Sequence, residues 1–324
     1  MKHVAIIMGG YSSEYQISLK SGQVVYDTLD RNVFTPYRIH ILKSKWVYVD
    51  DHNIETSINK DDFSVFIGER KIVFDVVFNA IHGAPGENGQ IQAYLKLLCI
   101  PHTSCEMYQA ALTYNKRDCL SVLKAYGVQT AKSYYINYGD EIHKDDIINA
   151  LGLPCFVKAN KAGSSYGVSK VYQKEDLDAA LDTAFREDDE VIIEEFLDGV
   201  EVSVGVITYQ GVVKVLPITE IVSENDFFDY EAKYEGKSQE ITPARISEQE
   251  TKLVSELAKK IYKILGLKGF SRSEFIFKNG APHFLEINTV PGLTKESILP
   301  QQAAEAGITL AELFKSAIDE VLRL

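Results

Sequence analysis

Cysteine is scarce in this 324-residue chain, and none of it is spaced for chemistry. The four cysteines, Cys99, Cys105, Cys119 and Cys155, leave no pair with the two-residue gap of a zinc knuckle or a redox motif, so they read as four reduced thiols. No apolar run approaches the ~20 residues that span a bilayer, so no spanning helix is expected. The start, Met1-Lys2-His3, leads into only five apolar residues, Val4 to Met8, too few for a secretory h-region. The cytoplasm is the expected compartment. There is no basic block either. Lys and Arg number 34 against 46 Asp and Glu, a formal net charge of −12, so nucleic acid is not an expected partner. A cleft can still be locally basic, and a small phosphate ligand stays open. G-x-x-x-x-G-K-[ST] is missing, which excludes a P-loop. Gly9-Gly10 does not complete G-x-G-x-x-G, and neither H-E-x-x-H nor G-x-S-x-G occurs. The seven histidines are scattered, against a histidine-built metal site.

What is present is a globular composition, 45% hydrophobic and 25% charged, long enough for two or three packed domains. The first third alternates strand and helix signals. Val4 to Met8 reads as a buried parallel strand, broken by Gly9-Gly10, with Ser12 or Ser13 able to cap the next helix. Val73 to Ile81 is a second apolar strand, and Gly86-Glu87-Asn88-Gly89 turns into a helix near Ile91 to Leu98. Strand, glycine turn and helix in repetition read as an open α/β sheet, whose ligand crevice lies beyond the strands' carboxyl ends. The middle third reads as a smaller α+β unit, with strands at Pro154 to Lys158 and Val168 to Tyr172 around a glycine–serine turn. In the last third Val200 to Ile207 alternates with period two. Capping boxes at Ser247–Glu250 and Thr309–Glu312 open two helices, the first ending at Gly266. The apolar stripe of the first is Leu253, Val254, Leu257, Ile261, Ile264 and Leu265. That of the second runs from Leu310 through Leu313, Phe314, Ala317 and Ile318 to Val321 and Leu322.

Chemistry concentrates near the end, in Ser271-Arg272-Ser273-Glu274-Phe275 and Phe284-Leu285-Glu286-Ile287-Asn288. Side chains alternate along a strand, so Arg272 shares a face with Glu274, and Glu286 with Asn288. Two adjacent antiparallel strands converge all four on one patch. Two carboxylates and an amide oxygen suit Mg²⁺, which takes few protein ligands and adds phosphate oxygens. A solvent-facing polar edge has the same spacing. The turn Gly163-Ser164-Ser165-Tyr166-Gly167, preceded by Lys158, fits either a phosphate cover or an ordinary hairpin loop. Glu14, beyond Gly9-Gly10, fits either an ammonium partner or a first-turn acid on a helix dipole.

Taken together, these residues resemble the D-alanine:D-alanine ligases of the ATP-grasp superfamily over nearly the whole chain. The match runs from Gly9 to Glu14 through His82-Gly83, Gly86 to Gly89, Lys158 and Gly163 to Gly167. It continues through Asp229 to Tyr234, Thr242-Pro243-Ala244 and Glu286 to Gly292. The resemblance implies an ATP-grasp fold behind an N-terminal open parallel α/β (preATP-grasp) domain. Its divisions are a substrate domain at 1–104, a central ATP-grasp subdomain at 105–193 and a C-terminal one at 194–324. It implies ATP as co-substrate and two Mg²⁺ ions, which Mn²⁺ can replace, on Glu274, Glu286 and Asn288. Lys116 and Lys158 would contact the nucleotide phosphates, Glu194, Phe196, Leu197 and Glu201 its adenosine, and Ser165 and Lys233 would also bind ATP. Glu14, hydrogen-bonded to Ser164 and Tyr234, would hold the first D-alanine's ammonium. Arg272 and the Gly292 N–H would form an oxyanion hole. His82, Ser297 and Ile298 would receive substrate, with Ser297 at the second D-alanine's carboxylate. The stretch from Phe227 to Ser238 would close over the site. The product would be D-alanyl-D-alanine for cell-wall peptidoglycan, made by a homodimer. A D-alanine:D-lactate ligase and a non-catalytic nucleotide-binding module are the alternatives, and a dinucleotide oxidoreductase is more distant. Two positions depart from the pattern. Glu274 stands where aspartate is common, and Gly83-Ala84-Pro85-Gly86 is less glycine-rich.

Overall fold

A computed structural model describes residues 1–223 and 238–323. The first sheet contains β1 (Lys2–Gly9), β2 (Phe34–Ile41), β3 (Trp46–Val49), β4 (Glu55–Asn59), β5 (Ser64–Ile67), β6 (Arg70–Ile72) and β7 (Val76–Asn79), in the order β6-β5-β4-β3-β2-β1-β7. Only β2, β1 and β7 run parallel, and an antiparallel meander extends them. Val4 to Met8 is buried on both faces, as its unbroken apolar run requires. Helices α1 (Tyr15–Thr28) and α2 (Gln90–Leu97) follow the two glycine turns. Two expectations shift here. Glu14, not Ser12 or Ser13, occupies the N-cap of α1. The Ser12 hydroxyl donates to the His82 carbonyl and that of Ser13 reaches Glu187, so both serines tie the loop down instead. The strand expected over Val73 to Ile81 is shortened to β7, because Asn79 folds back to accept the Ile81 N–H.

Helices α3 (Met107–Tyr114) and α4 (Lys116–Ala125) lead into a second, antiparallel sheet. It contains β8 (Ser133–Asn137), β9 (Cys155–Ala159), β10 (Ser169–Val171) and β11 (Glu190–Glu195), ordered β10-β9-β11-β8. One face carries α5 (Lys144–Leu151) and α6 (Leu177–Phe185), which share a core with Val157 and Ile193. The third sheet orders β15 (Ser238–Ile241), β14 (Thr219–Ser223), β12 (Val200–Tyr209), β16 (Phe270–Lys278) and β17 (Ala281–Asn288), with β13 (Val212–Val215) pairing β12. Cys105, Leu120, Leu123 and Val128 pack into this third sheet's core.

Helix α7 (Glu248–Ile264) covers one face of the third sheet; α8 (Ile298–Glu305) and α9 (Leu310–Leu322) pack on the other side. Both expected capping boxes form, at Ser247–Glu250 and Thr309–Glu312. In α7 the buried face is Val254, Ala258, Ile261 and Tyr262, while Leu253 turns outward at 42% exposure. The period-two pattern of β12 does not produce a wet face. Ser203 and Gly205 are buried too, because Gln302 of α8 donates to the Ser203 carbonyl at 2.8 Å. Each large apolar side chain buried in these layers contributes roughly 1.5–3 kcal/mol relative to exposure.

Candidate active site

The site grows from three strand ends and one turn. Ser18, on the buried face of α1, accepts the Gly9 N–H at 2.8 Å and donates to the Ala80 carbonyl at 2.8 Å. That bridge lays the ends of β1 and β7 side by side, so Glu14 and His82 face one cavity. Glu14 is 7% exposed, and its Oε1 accepts the Ser164 hydroxyl at 2.5 Å from 150 positions further along the chain. Glycine permits the approach. A Cβ at Gly163 would lie 2.7 Å from Glu14 Oε2. Gly83 has φ +68°, and a Cβ there would lie 2.4 Å from the Ser12 hydroxyl oxygen.

The opposite wall is the β16–β17 ladder. Arg272 pairs in register with Asn288, and Glu274 with Glu286, so the four expected side chains share one patch. A β-bulge follows between Glu274 and Phe275, where the face used by the site ends. Arg272 Nη2 lies 3.1 Å from Glu274 Oε1. Lys116, the first residue of α4, reaches Glu286 Oε2 at 3.3 Å and donates to the Ala162 carbonyl at 2.6 Å. Asn288 Nδ2 is buried without a hydrogen-bond partner among the described residues.

Glu14, His82, Arg272, Gly292, Ser297 and Ile298 meet in a cavity of about 280 Å³, with Ser164, Glu286 and Asn288 also on its wall. Ser297 is the N-cap of α8, and its hydroxyl bonds Thr294 at 2.9 Å rather than its own helix. Unsatisfied N–H groups of α8 therefore border the cavity, where they favour an anion.

The residues expected around a nucleotide lie apart from that cavity's lining, mostly on the second sheet and its exit. Lys158 of β9 pairs with Glu194 of β11 at 2.5 Å. Burial disfavours the Lys158 ammonium, but Glu194, Glu286 and Glu201 outweigh it and raise its pKa. Glu286 thus acts on both Lys116 and Lys158, and ties the two halves of the cleft together electrostatically. Phe196 stands 6.2 Å from the Phe156 ring, with Lys170 4.2 Å over its own face, and Leu197 is 4% exposed. Ser165 has φ +59° in the glycine–serine turn, and Glu201 is the second residue of β12. The expectations for Lys233 and Tyr234 fall outside the described residues.

The described residues include no group of three His, Cys, Asp or Glu arranged to hold a metal unaided. Glu274, Glu286 and Asn288 nevertheless form a hard-oxygen donor set. Each carboxylate has a cation beside it, Arg272 at Glu274 and Lys116 at Glu286. Such a set fits a Mg²⁺ ion whose remaining ligands are phosphate oxygens.

Two site residues were not singled out from the sequence. Glu87 is buried, and its Oε2 accepts the Gly83 N–H at 2.7 Å while Oε1 accepts the Val290 N–H at 3.2 Å. Burial, then the nearby Glu14 carboxylate, pushes its pKa up to about 8. Ser21 is fully buried and bonds the His82 ring at 2.9 Å. Ser21 lies on the buried face of α1 with Ser18, Gly22 and Val25, where small side chains give no sign of a distant partner. Burial also lowers the pKa of His82, which disfavours its charged form.

Comparison with known proteins supplies two family matches, "D-ala D-ala ligase N-terminus" over residues 3–105 and "D-ala D-ala ligase C-terminus" over 122–319. The chain is 63% identical over 319 residues to the D-alanine--D-alanine ligase of Flavobacterium johnsoniae, covering 98% of this chain and 99% of that one. It is 59% identical to that of Christiangramia forsetii, covering 99% and 98%. The VanG D-Ala:D-Ser ligase of Enterococcus faecalis superposes with a TM-score of 0.85 at 32% identity, covering 98% of each chain. The ATP complex of the Bacillus anthracis D-alanine--D-alanine ligase superposes at 0.80 with 27% identity, covering 100% and 98%.

Proposed function

The chain belongs to the D-alanine--D-alanine ligase family, and from that premise we propose that its cleft joins two D-alanines into D-alanyl-D-alanine, with ATP converted to ADP and phosphate. The product serves peptidoglycan synthesis. The observation that carries this reading is the register of β16 and β17, which sets Arg272 and Asn288 beside Glu274 and Glu286, next to Lys116 and to the cavity holding Glu14.

A carboxylate is inert toward amines because oxide would have to leave. Here the first D-alanine is held by its ammonium at Glu14, an acceptor already oriented by Ser164. Its carboxylate oxygen attacks the γ-phosphorus of ATP, the bond to the β–γ bridging oxygen breaks, and ADP leaves. Lys116 and Lys158 offset the charge on the phosphoryl oxygens. Glu274, Glu286 and Asn288 would hold Mg²⁺, or Mn²⁺ in its place, which supplies further charge compensation along the phosphates. The second D-alanine binds with its carboxylate at Ser297 and the α8 N-terminus beside Ile298. Its amine attacks the acyl carbon. Arg272 and the Gly292 N–H hold the resulting oxyanion, a donor of that kind being worth ~3–4 kcal/mol. Phosphate leaves with the oxygen that came from the first carboxylate, and the amine's proton passes to solvent or phosphate. The binding of ATP by Ser165 and Lys233, the adenosine contacts of Glu194, Phe196, Leu197 and Glu201, and the part of Tyr234 in closing the site belong to the same proposal.

The divisions 1–104, 105–193 and 194–324 are also proposed, with α3 and α4 contributing to the core of the third. So are the homodimer and a cytoplasmic setting; no helix among the described residues is long and apolar enough to cross a membrane. Phosphate release with D-alanine, D-serine and D-lactate as acceptors, and with L-alanine as control, tests the reading. D-alanine alone should support full turnover near neutral pH. Preference for D-lactate would make the chain an ester-forming ligase, and phosphate release independent of any amino acid would remove the ligase reading.

A further inference from the structure

The segment after β17, Val290-Pro291-Gly292-Leu293, is fixed by the N-terminal domain, residue by residue. His82 Nδ1 lies 2.8 Å from the Val290 carbonyl, which can only accept, so Nδ1 carries the proton. The ring is buried, which disfavours the imidazolium, and in the neutral ring Nε2 is the acceptor. Ser21 stands 2.9 Å from Nε2 and therefore donates its hydroxyl proton there. The same Ser21 oxygen accepts the Leu293 N–H at 3.3 Å. On the other side of Val290, its N–H goes to Glu87 Oε1 at 3.2 Å, while Glu87 Oε2 is fixed by the Gly83 N–H at 2.7 Å. Both backbone polar groups of Val290 and the N–H of Leu293 are thus taken by the first domain. Between them lies Gly292, which lines the cavity.

We propose that Ser21 and His82, braced by Glu87, are positioning residues that aim the Gly292 N–H at the oxyanion, with the Ser21 hydroxyl selecting the His82 tautomer that can hold Val290. This rests on the reading of Gly292 as an oxyanion donor. It also changes the part of His82. Both ring nitrogens are engaged by protein, so the ring acts through the backbone and does not touch substrate. A displaced donor loses most of its value, because a hydrogen bond weakens steeply with angle and distance. The loss falls on the tetrahedral species rather than on bound D-alanine.

The test uses the full-length enzyme with three variants: Ser21→Ala, His82→Asn and Arg272→Lys. Ser21→Ala removes one hydroxyl. His82→Asn keeps a donor near the Nδ1 position but loses the acceptor for Ser21, and stands in should Ser21→Ala fold poorly. Turnover, KM for D-alanine and ATP, and inhibition by a phosphinate dipeptide that mimics the tetrahedral species are measured for each. On the relay account Ser21→Ala lowers kcat about 10- to 100-fold, the scale of a misaligned oxyanion donor. Both KM values stay within about twofold, and phosphinate affinity falls in step with kcat, as transition-state complementarity requires. His82→Asn should lie between wild type and Ser21→Ala. In the wild type, ¹⁵N NMR should find His82 protonated at Nδ1 and bare at Nε2. If Arg272→Lys weakens the phosphinate and Ser21→Ala does not, the relay is overturned and the oxyanion reading survives. If neither variant affects it, the oxyanion reading fails and the relay with it. A raised D-alanine KM at unchanged kcat in His82→Asn would return His82 to the substrate-contact part and overturn the relay.

Discussion

The two ends of the cleft are held together by different forces. At the amino-acid end, Ser18, Ser21, His82 and Glu87 bind backbone groups of Gly9, Ala80, Gly83, Val290 and Leu293 through hydrogen bonds. At the nucleotide end, Lys116–Glu286 and Lys158–Glu194 are ion pairs between partly or fully buried groups, and Arg272–Glu274 joins the two ends. Hydrogen bonds to backbone fix a position and have one good geometry. Ion pairs between side chains can exchange partners, and an arriving triphosphate with its cations offers both signs of charge. The first end is built to aim, the second to rearrange.

The largest effect expected from breaking this contrast is at Glu286, which both lysines feel. Glu286→Gln should lower kcat on the order of 10³-fold, since charge compensation at the phosphates supplies several kcal/mol. Its thermal unfolding should stay close to wild type. A variant with wild-type turnover would remove Glu286 from the metal set. The next effect is on stability. Lys158→Met leaves Glu194 buried beside no cation, a loss of about 3–5 kcal/mol for a broken buried pair. Denaturant unfolding should show that loss, and adding Glu194→Gln should restore most of it. If the double variant is no better than the single one, the pair is not coupled.

A smaller effect separates the ends by pH. Glu87 has its pKa raised from 4.5 to about 8 in the fold. A carboxyl with a raised folded pKa contributes stability that is complete below about 4.5 and is lost as pH climbs through about 8. Comparing thermal unfolding of wild type and Glu87→Gln across that window should show the wild type falling more steeply. Parallel curves would contradict the assignment. The smallest effect lies outside the cleft. Ser247→Ala removes the capping hydroxyl of α7, which accepts the Glu250 N–H at 3.2 Å. It should reduce stability by about 1 kcal/mol with kinetics unchanged.

The same contrast explains how much was legible in the sequence. Ion-pair residues announce themselves by type and spacing. Arg272 with Glu274, and Glu286 with Asn288, needed only period two and an antiparallel neighbour, and their register is as expected. Capping boxes and apolar helix faces follow local rules and were equally readable, Leu253 excepted. The aiming network was not legible, because it joins residues far apart in the chain. Ser21 and Leu293 are separated by 272 positions. Nothing in the local pattern distinguishes a serine that holds a distant backbone N–H from one that fills a small gap. Ser12 and Ser13 misled for a related reason. Both hydroxyls donate to distant partners, His82 and Glu187, and locally Ser12 only accepts the Glu14 N–H at 3.3 Å. In β12 the alternating pattern hid a strand covered on both sides, since small residues there make room for Gln302.

The most direct measurement of the acyl-phosphate account follows one oxygen. D-alanine labelled with ¹⁸O in its carboxylate is turned over with ATP, and the inorganic phosphate is analysed by mass. If the first carboxylate attacks the γ-phosphorus, each phosphate released carries one ¹⁸O atom from D-alanine. Phosphate free of label, formed at the same rate as dipeptide, would contradict the account.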